Sequence, residues 1–160
     1  MKFNIIIAFI LCVNCQGQKQ DSVKIKTASN ETEAVSETDN IVCNVEVCLQ
    51  LRNHDVEGQS FEIYMLNSIP VAGFQCDLPG INITSSDGGL LKENGYQTSN
   101  SATRILSFSM KGQLIPAGEG VLTTVFYADP TTEVCMTEII FAGIGGAQLE
   151  NDKPGCLSLN

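Results

Sequence analysis

The only histidine of the chain, His54, is the one side chain that could act as the base of a Ser-His-Asp or Cys-His catalytic arrangement. Such an arrangement needs an imidazole within hydrogen-bond reach of a nucleophile and a third group that orients it. His54 precedes Asp55 in the polar stretch NHDVEG, residues 53–58, which predicts a hairpin loop. A solvated loop histidine is the simpler interpretation, so we predict no catalytic residue and no enzyme.

Acidic side chains could act in pairs on a glycosidic bond, or hold a calcium ion. They are spread over separate turns, at Asp55, Glu57, Asp77, Asp87, Glu93, Asp129 and Glu150. The best calcium candidates are two oxygen-rich turns, SDGG at residues 86–89 and Asn151-Asp152. Because Asx side chains commonly stabilise such turns by bonding to the nearby backbone, we predict no metal and no cofactor.

Seven cysteines are present, and five of them lie beyond residue 40. In an oxidising compartment these five can form at most two bonds. A bond between Cys135 and Cys156 is predicted, because both flank the last predicted strands. A bond between Cys43 and Cys48 would distort a straight strand, unless Cys43 precedes that strand. Cys76 is predicted to be a buried, inert thiol, and without a C-x-x-C pair no zinc site is expected.

Sandwich modules that bind sugars stack pyranose rings on exposed aromatic side chains. The chain has no tryptophan and three tyrosines, Tyr64, Tyr96 and Tyr127. Tyr127 lies in a core-like strand, whereas Tyr64 stands between Ile63 and Met65 in an alternating pattern and is predicted to face outward. Tyr64 is therefore the ligand-stacking candidate. So small an aromatic platform favours a protein ligand over a polysaccharide.

The length, composition and charge of the chain limit the kind of domain that can hold these residues and the partners that it can bind. At 160 residues and a formal charge of −9, the chain is expected to form one domain. Its acidic balance argues against nucleic-acid binding, which needs a clustered positive field. The same balance disfavours adsorption to an anionic membrane.

Residues 1–17 are predicted to be a secretory signal peptide. Lys2 precedes IIIAFILCV at residues 5–13, an apolar run too short to span a bilayer, which needs about 20 residues. Cleavage is predicted after Gly17 or, alternatively, after Cys15. A lipidated Cys15 is disfavoured because Asn14 precedes it, and a buried N-terminal strand is the other alternative. We predict a secreted mature chain without membrane insertion.

Residues 18–41 are predicted to be a flexible leader, because they are rich in Ser, Thr, Glu and Lys and poor in large apolar side chains. N-glycosylation sequons begin at Asn30 in this leader and at Asn82 further along. Residues 42–160 show short alternating or apolar runs separated by turns, with no long amphipathic helix. They predict an all-β domain: a two-sheet antiparallel sandwich of eight or nine short strands with jelly-roll topology.

Three segments resemble a known family: VAGFQ at residues 71–75, LSFS at 106–109 and IPAGEGVLTTVFY at 115–127. With the segment from Cys135 to Cys156, they resemble the cohesin-like domains, over residues 42–159. The resemblance implies a nine-stranded jelly roll whose flat sheet face binds another protein. Cohesins proper bind the calcium-loaded dockerin modules of polysaccharide-degrading complexes. Cys76 stands where similar sequences usually have a large apolar residue, and no partner-binding residue is carried over.

We therefore predict a secreted, non-enzymatic module that recognises an extracellular, dockerin-like protein through a flat sheet face. A carbohydrate-binding module that takes a polysaccharide is the first alternative. A structural protein of the cell surface or matrix is the second.

Overall fold

The computed structural model describes residues 42–160. The predicted signal peptide (1–17) and leader (18–41), and with them Asn30, lie outside the described residues. The strands are β1 (Val47–Asp55), β2 (Ser60–Asn67), β3 (Gly73–Asp77), β4 (Asn82–Asp87), β5 (Gln97–Asn100), β6 (Arg104–Phe108), β7 (Gly118–Ala128), β8 (Glu133–Val134), β9 (Thr137–Ala142), β10 (Gln148–Leu149) and β11 (Leu157–Ser158). Between β4 and β5 lies one short helix, α1 (Gly89–Glu93), and a 3₁₀ turn (Ile144–Gly146) separates β9 from β10.

The strands form the predicted two-sheet antiparallel sandwich. A four-stranded sheet has the order β1-β2-β7-β4, and a five-stranded sheet has the order β10-β9-β3-β6-β5. Strands β8 and β11 pair separately as a two-stranded ribbon. The chain crosses repeatedly between the two sheets, since β3, the β5–β6 pair and the β9–β10 pair belong to one sheet and β4 and β7 to the other. Such crossings are typical of jelly rolls and absent from simple meanders.

The described residues contain eleven strands, two more than the upper prediction. Three of them (β8, β10 and β11) have only two residues, too few to show an alternating pattern. The predicted loop at residues 53–58 is also corrected. Strand β1 continues through His54 to Asp55, because pairing resumes at Asp55 opposite Ser60 after an irregularity at Asn53, which has a positive φ.

Alternate side chains of both sheets fill the space between them. The largest fully buried ones include Phe61, Phe74, Phe141, Ile63, Met65, Leu78, Leu91, Ile105, Ile115 and Leu122. The rings of Phe74 and Phe141 lie 4.9 Å apart between centroids, on adjacent strands of the five-stranded sheet. Because apolar burial is the main stabilising term of folding, this shared core fixes the two sheets face to face.

Hydrogen bonds close both sides of the sandwich. On one side the Ile83 amide donates to the carbonyl of Ala102 at 2.7 Å, which joins β4 to the β5–β6 turn. On the other side Val47 exchanges backbone bonds with Glu150 and Asp152, at 3.0 and 3.1 Å. Within residues 42–160, no helix combines the length and apolar character needed to cross a membrane.

Both disulfides lie at the margins of the sandwich. The predicted bond between Cys135 and Cys156 is present and ties the β8–β11 ribbon, with the two Cα atoms 4.3 Å apart. Cys43 bonds to Cys48, with Cα atoms 5.6 Å apart. No strand is distorted, because Cys43 precedes β1, which begins at Val47.

Candidate functional site

The outer face of the five-stranded sheet carries an apolar patch. On β6, Ile105 and Ser107 point into the core, so Leu106 and Phe108 point outward and are 41% and 40% exposed. On β9, Phe141 points inward and Ile140, 42% exposed, points outward. Large apolar side chains are thus presented to solvent by two strands that both pair with β3.

The strand register places these side chains around the middle of the sheet. Phe108 and Ala142 both pair with Gly73 of β3, one from each side. Leu106 and Ile140 in the same way flank Gln75. We call the outward side chains of Leu106, Phe108, Ile140 and Ala142, which flank Gly73 and Gln75 of β3, the apolar face.

Gly73 leaves a shallow depression of about 310 Å³ in the apolar face. The nearest atoms that a Cβ at this position would meet are the Ala142 Cβ and the Ser107 carbonyl oxygen, both at 3.6 Å. Both are ordinary van der Waals distances, so a side chain would fit at position 73. The depression is there because glycine has none. An apolar side chain from a partner could therefore insert between Phe108 and Ala142.

Two turns extend the apolar face at one end of the sheet. Strands β6 and β9 both run antiparallel to β3, so they run in the same direction and leave the sheet at the same end. Beyond those ends follow Met110 and Ile144, both among the most exposed large apolar side chains of the described residues. Apolar exposure thus continues from the centre of the face to these two turns.

The opposite end of the same face is charged. Arg104 donates to both carboxylate oxygens of Asp77, from Nε at 2.5 Å and from Nη2 at 2.7 Å. This side-chain hydrogen bonding lowers the pKa of Asp77 and raises that of Arg104. Glu138 adds a further negative charge that acts on Arg104. A partner that lies along the sheet therefore meets apolar contacts at one end and fixed charges at the other.

The outer face of the four-stranded sheet is different in character. The Arg52 guanidinium lies over the Tyr64 ring, 3.5 Å from its centroid, and Arg52 Nε is 3.5 Å from a Glu62 carboxylate oxygen. Asn53 donates to the same carboxylate at 2.7 Å. Phe126, on β7, is the large apolar side chain exposed here, at 36%. We call this surface, with Arg52, Glu62, Tyr64, Thr124 and Phe126, the polar face.

Tyr64 points outward, as its place in the alternating pattern predicts. Arg52 covers one side of its ring, and the cross-strand partners of Tyr64 are Gln50 and Val121. A sugar ring would have to use the other side or displace the guanidinium. Tyr64 remains a prediction as a stacking residue, and the geometry adds nothing in its favour.

His54 is not the solvated loop residue that was predicted. Its Nε2 lies 2.6 Å from the Tyr127 hydroxyl, and the two rings are stacked with centroids 6.1 Å apart. Burial and the charge of Asp55 raise the pKa of Tyr127. The hydrogen-bond partner of this histidine is thus a phenol that packs on Phe61, and not a serine or thiol nucleophile.

The two calcium candidates use their oxygens within the fold. Asp87 forms an ion pair with Lys92 at 2.7 Å, and this bond, together with one from the Gly88 amide, lowers the pKa of Asp87. An Asp152 carboxylate oxygen accepts the Leu49 amide at 2.9 Å. Among the described residues, one group of three potential ligands lies close together, Glu133, Cys135 and Cys156, and the two sulfurs are bonded to each other.

Cys76 lies fully buried on β3, as predicted. Burial, with a smaller contribution from the charge of Asp77, raises the pKa of its thiol. Because the thiolate is the reactive form, both its burial and its raised pKa favour the predicted inert thiol.

The residues of the apolar face were not singled out by sequence reasoning. Leu106 and Phe108 lie in RILSFSM, where apolar residues occupy positions on both sides of the strand. In IIFA, residues 139–142, four apolar residues follow one another. Such continuous runs, in a sheet with nothing on its outer side, are the signal that could have indicated an exposed apolar surface.

No protein-family model matches the sequence, and no curated protein does. Among solved structures, the chain is similar to a non-cellulosomal cohesin from the hyperthermophilic archaeon Archaeoglobus fulgidus, with 14% identity over 72% of this chain and 91% of that one, at a TM-score of 0.46. It is also similar to a chain of a CaCohA2 complex with a CaDoc0917 variant at pH 5.5, with 11% identity over 69% of this chain and 95% of that one, at a TM-score of 0.49. Both are cohesin structures, the family that the sequence also resembles. No residue, ligand or partner is carried over from them to this chain.

Proposed function

We propose that this chain is a secreted, non-enzymatic module that binds another extracellular protein through the apolar face. The observation that carries the proposal is the exposure of Leu106, Phe108 and Ile140 on β6 and β9, the two strands that flank β3. Burying apolar surface is favourable by roughly 25 cal/mol per Å². Contiguous exposed apolar patches with polar surroundings are typical of protein–protein interfaces.

The surroundings of the apolar face support a specific protein interface. Gln97 and Ser99 on β5 border it on one side, and Gln148 on β10 borders it on the other. The three side chains are exposed, so they form a polar rim around the apolar centre. The sheet holds the apolar side chains on paired strands, which lowers the ordering cost of binding.

The partner class follows from the sequence resemblance and from the distribution of charge. A dockerin-type protein is the first partner to test, because the sequence resembles cohesins. The Asp77–Arg104 pair at one end of the face gives a bound protein a preferred direction. Two disulfides support secretion, since such bonds persist in oxidising compartments.

The test compares two phenylalanines on opposite sheets. The full secreted chain, wild type or with Phe108→Asp or Phe126→Asp, is immobilised and exposed to the extracellular proteins of its source. Wild type and Phe126→Asp are expected to retain the same protein. Phe108→Asp should weaken its binding by about 30-fold or more, because an interface anchor contributes about 2 kcal/mol.

Equal retention by the two variants would contradict the proposal, provided that both unfold at the wild-type denaturant midpoint. Retention of a polysaccharide, abolished by Tyr64→Ala, would instead support a carbohydrate-binding module. Sedimentation equilibrium of the pure chain distinguishes a second copy from a different protein as the occupant. Absence of any retained partner would favour a structural role.

A further inference from the structure

We propose that Asn82 carries an N-linked glycan, which covers the corner of the sandwich beside β4 and leaves the apolar face free. The acceptor sequence Asn82-Ile83-Thr84 lies at the start of β4, an edge strand that pairs with β7 alone. The Asn82 and Thr84 side chains are exposed, while Ile83 between them is buried in the core. The sequon thus presents its acceptor to solvent without disturbing the packing.

The surroundings of Asn82 can accommodate a large substituent. Among the described residues the Asn82 side chain forms no hydrogen bond, so modification of its amide breaks none within residues 42–160. Its backbone partner across the ladder is Ala128, a residue that adds little bulk. By contrast, the polar side chains nearby are engaged, as Ser86 shows by donating to Asn100 at 2.9 Å.

The position of Asn82 keeps the glycan away from the proposed interface. Asn82 belongs to the four-stranded sheet, whereas the apolar face is the outside of the five-stranded sheet. The Ile83 amide bonds to Ala102 in the turn that precedes Arg104, so Asn82 lies toward the charged end of the molecule. Phe108 lies at the other end of β6. This second part of the inference rests on the proposed function, whereas the modification itself does not.

The reaction is the ordinary transfer of a lipid-linked oligosaccharide by the secretory oligosaccharyltransferase. The Asn82 amide nitrogen forms a bond to the anomeric carbon of the sugar and loses one proton. The bond between that carbon and the lipid diphosphate oxygen breaks, and the diphosphate leaves with the electron pair. No oxidant or reductant is needed.

The experiment uses the full chain secreted from a eukaryotic host, with peptide mass spectrometry before and after treatment with an N-glycosidase. We expect the glycosidase to remove a glycan from the Asn82 peptide in most molecules and to convert Asn82 to aspartate. Thr84→Ala should abolish the modification at Asn82 and leave that at Asn30 unchanged. An unmodified Asn82 in the secreted protein would overturn the proposal, whether or not Asn30 is modified.

The second part is tested with the glycosylated and the enzymatically deglycosylated protein. Both forms should retain the captured partner with the same affinity. A several-fold gain in affinity on deglycosylation would show that the glycan reaches the apolar face, and would overturn the placement but not the modification. If no partner is found, the proposed function fails, while the mass measurement still decides whether Asn82 is modified.

Discussion

Both outer faces of the sandwich are formed by antiparallel strands, but they have opposite surface chemistry. On the polar face, Arg52 contacts both the Tyr64 ring and the Glu62 carboxylate, across β1 and β2. On the apolar face, Leu106, Phe108 and Ile140 lie on the two strands that flank β3, and each is exposed to solvent among the described residues. Because contiguous exposed apolar surface is typical of binding sites, the difference supports the proposal that the five-stranded sheet is the one that binds.

The chain itself also covers one face more than the other. The Cys43–Cys48 bond holds residues 43–46 against the outside of the four-stranded sheet, where Cys48 is almost fully buried. The Glu46 carbonyl accepts the Ser68 amide at 2.9 Å, which fastens the same segment to the end of β2. The five-stranded sheet has no comparable cover among residues 42–160. The four-stranded sheet is thus partly covered by residues 43–46, whereas the outer side of the five-stranded sheet behind it is uncovered in the described residues.

The largest expected effect comes from filling the depression of the apolar face. Gly73→Arg should reduce partner affinity by more than about 100-fold, which corresponds to about 3 kcal/mol. The depression is open, so the fold should be retained and the free energy of unfolding should stay close to wild type. Isothermal titration with the captured partner measures the affinity, and denaturant unfolding measures the stability.

The matched control is Thr124→Arg on the polar face, where Glu62 is its cross-strand neighbour. It introduces the same charge and bulk on the opposite sheet and should leave the affinity unchanged. A comparable loss of affinity with Thr124→Arg would break the distinction between the two faces.

The next effect concerns the cover of the polar face. Replacing both cysteines, as Cys43→Ser with Cys48→Ser, should lower the free energy of unfolding by about 2 kcal/mol, because the closed loop is short. Chemical denaturation under non-reducing conditions gives this difference. Partner affinity should not change, and a loss of affinity in this variant would assign the cover a direct role in binding.

A smaller effect is expected from the contact between Arg52 and Tyr64. Arg52→Ala should cost about 0.5–1 kcal/mol of stability, the usual contribution of an exposed cation–π contact. Arg52→Lys keeps the charge near Glu62 but not the planar stack, so it isolates the ring contact. If Arg52→Ala creates binding to a polysaccharide that wild type lacks, the guanidinium is what prevents Tyr64 from stacking on sugars.

The smallest effect is the pH dependence of the charged end of the apolar face. In Arg104→Gln the pKa of Asp77 should rise toward its ordinary value near 3.8, because Arg104 is what lowers it. A depressed carboxyl pKa stabilises the folded state above the unfolded-state pKa. The stability difference between wild type and Arg104→Gln should therefore be present at neutral pH and disappear as the pH falls through the folded-state pKa.

Carbon-detected NMR titration of the carboxyl groups measures this shift directly. Lys92→Gln is the matched control, since Lys92 of α1 lowers the pKa of Asp87, at the end of β4 in the other sheet, in the same way. It should move Asp87 and leave Asp77 unchanged. A pKa shift of both Asp77 and Asp87 in either variant would indicate that the two ion pairs are electrostatically coupled.

The sandwich could be predicted from the sequence because most strands have a local pattern of apolar residues that identifies each strand on its own. The alternation of Phe61, Ile63 and Met65 with polar neighbours is a local signal, and all three are fully buried. The two-residue strands gave no such signal, because their pairing is decided by distant segments. The predicted bond between Cys135 and Cys156 needed only that both flank the last strands.

The candidate site could not be predicted in the same way, because it depends on register between distant strands. Gly73 lies between Phe108 and Ala142 only in the folded sheet, although these residues are more than thirty positions apart in sequence. The same holds for His54 and Tyr127, which a bulge in β1 and the packing of β7 bring together. The sequence identifies which side chains can face outward, and the cross-strand neighbours determine what surface they make.

The bond between Cys43 and Cys48 has one more consequence. It holds Cys43 on the outer side of the four-stranded sheet, whereas Leu106 and Phe108 lie on the outer side of the five-stranded sheet. The short loop that this disulfide closes therefore lies on the surface that a protein bound to the apolar face would not contact.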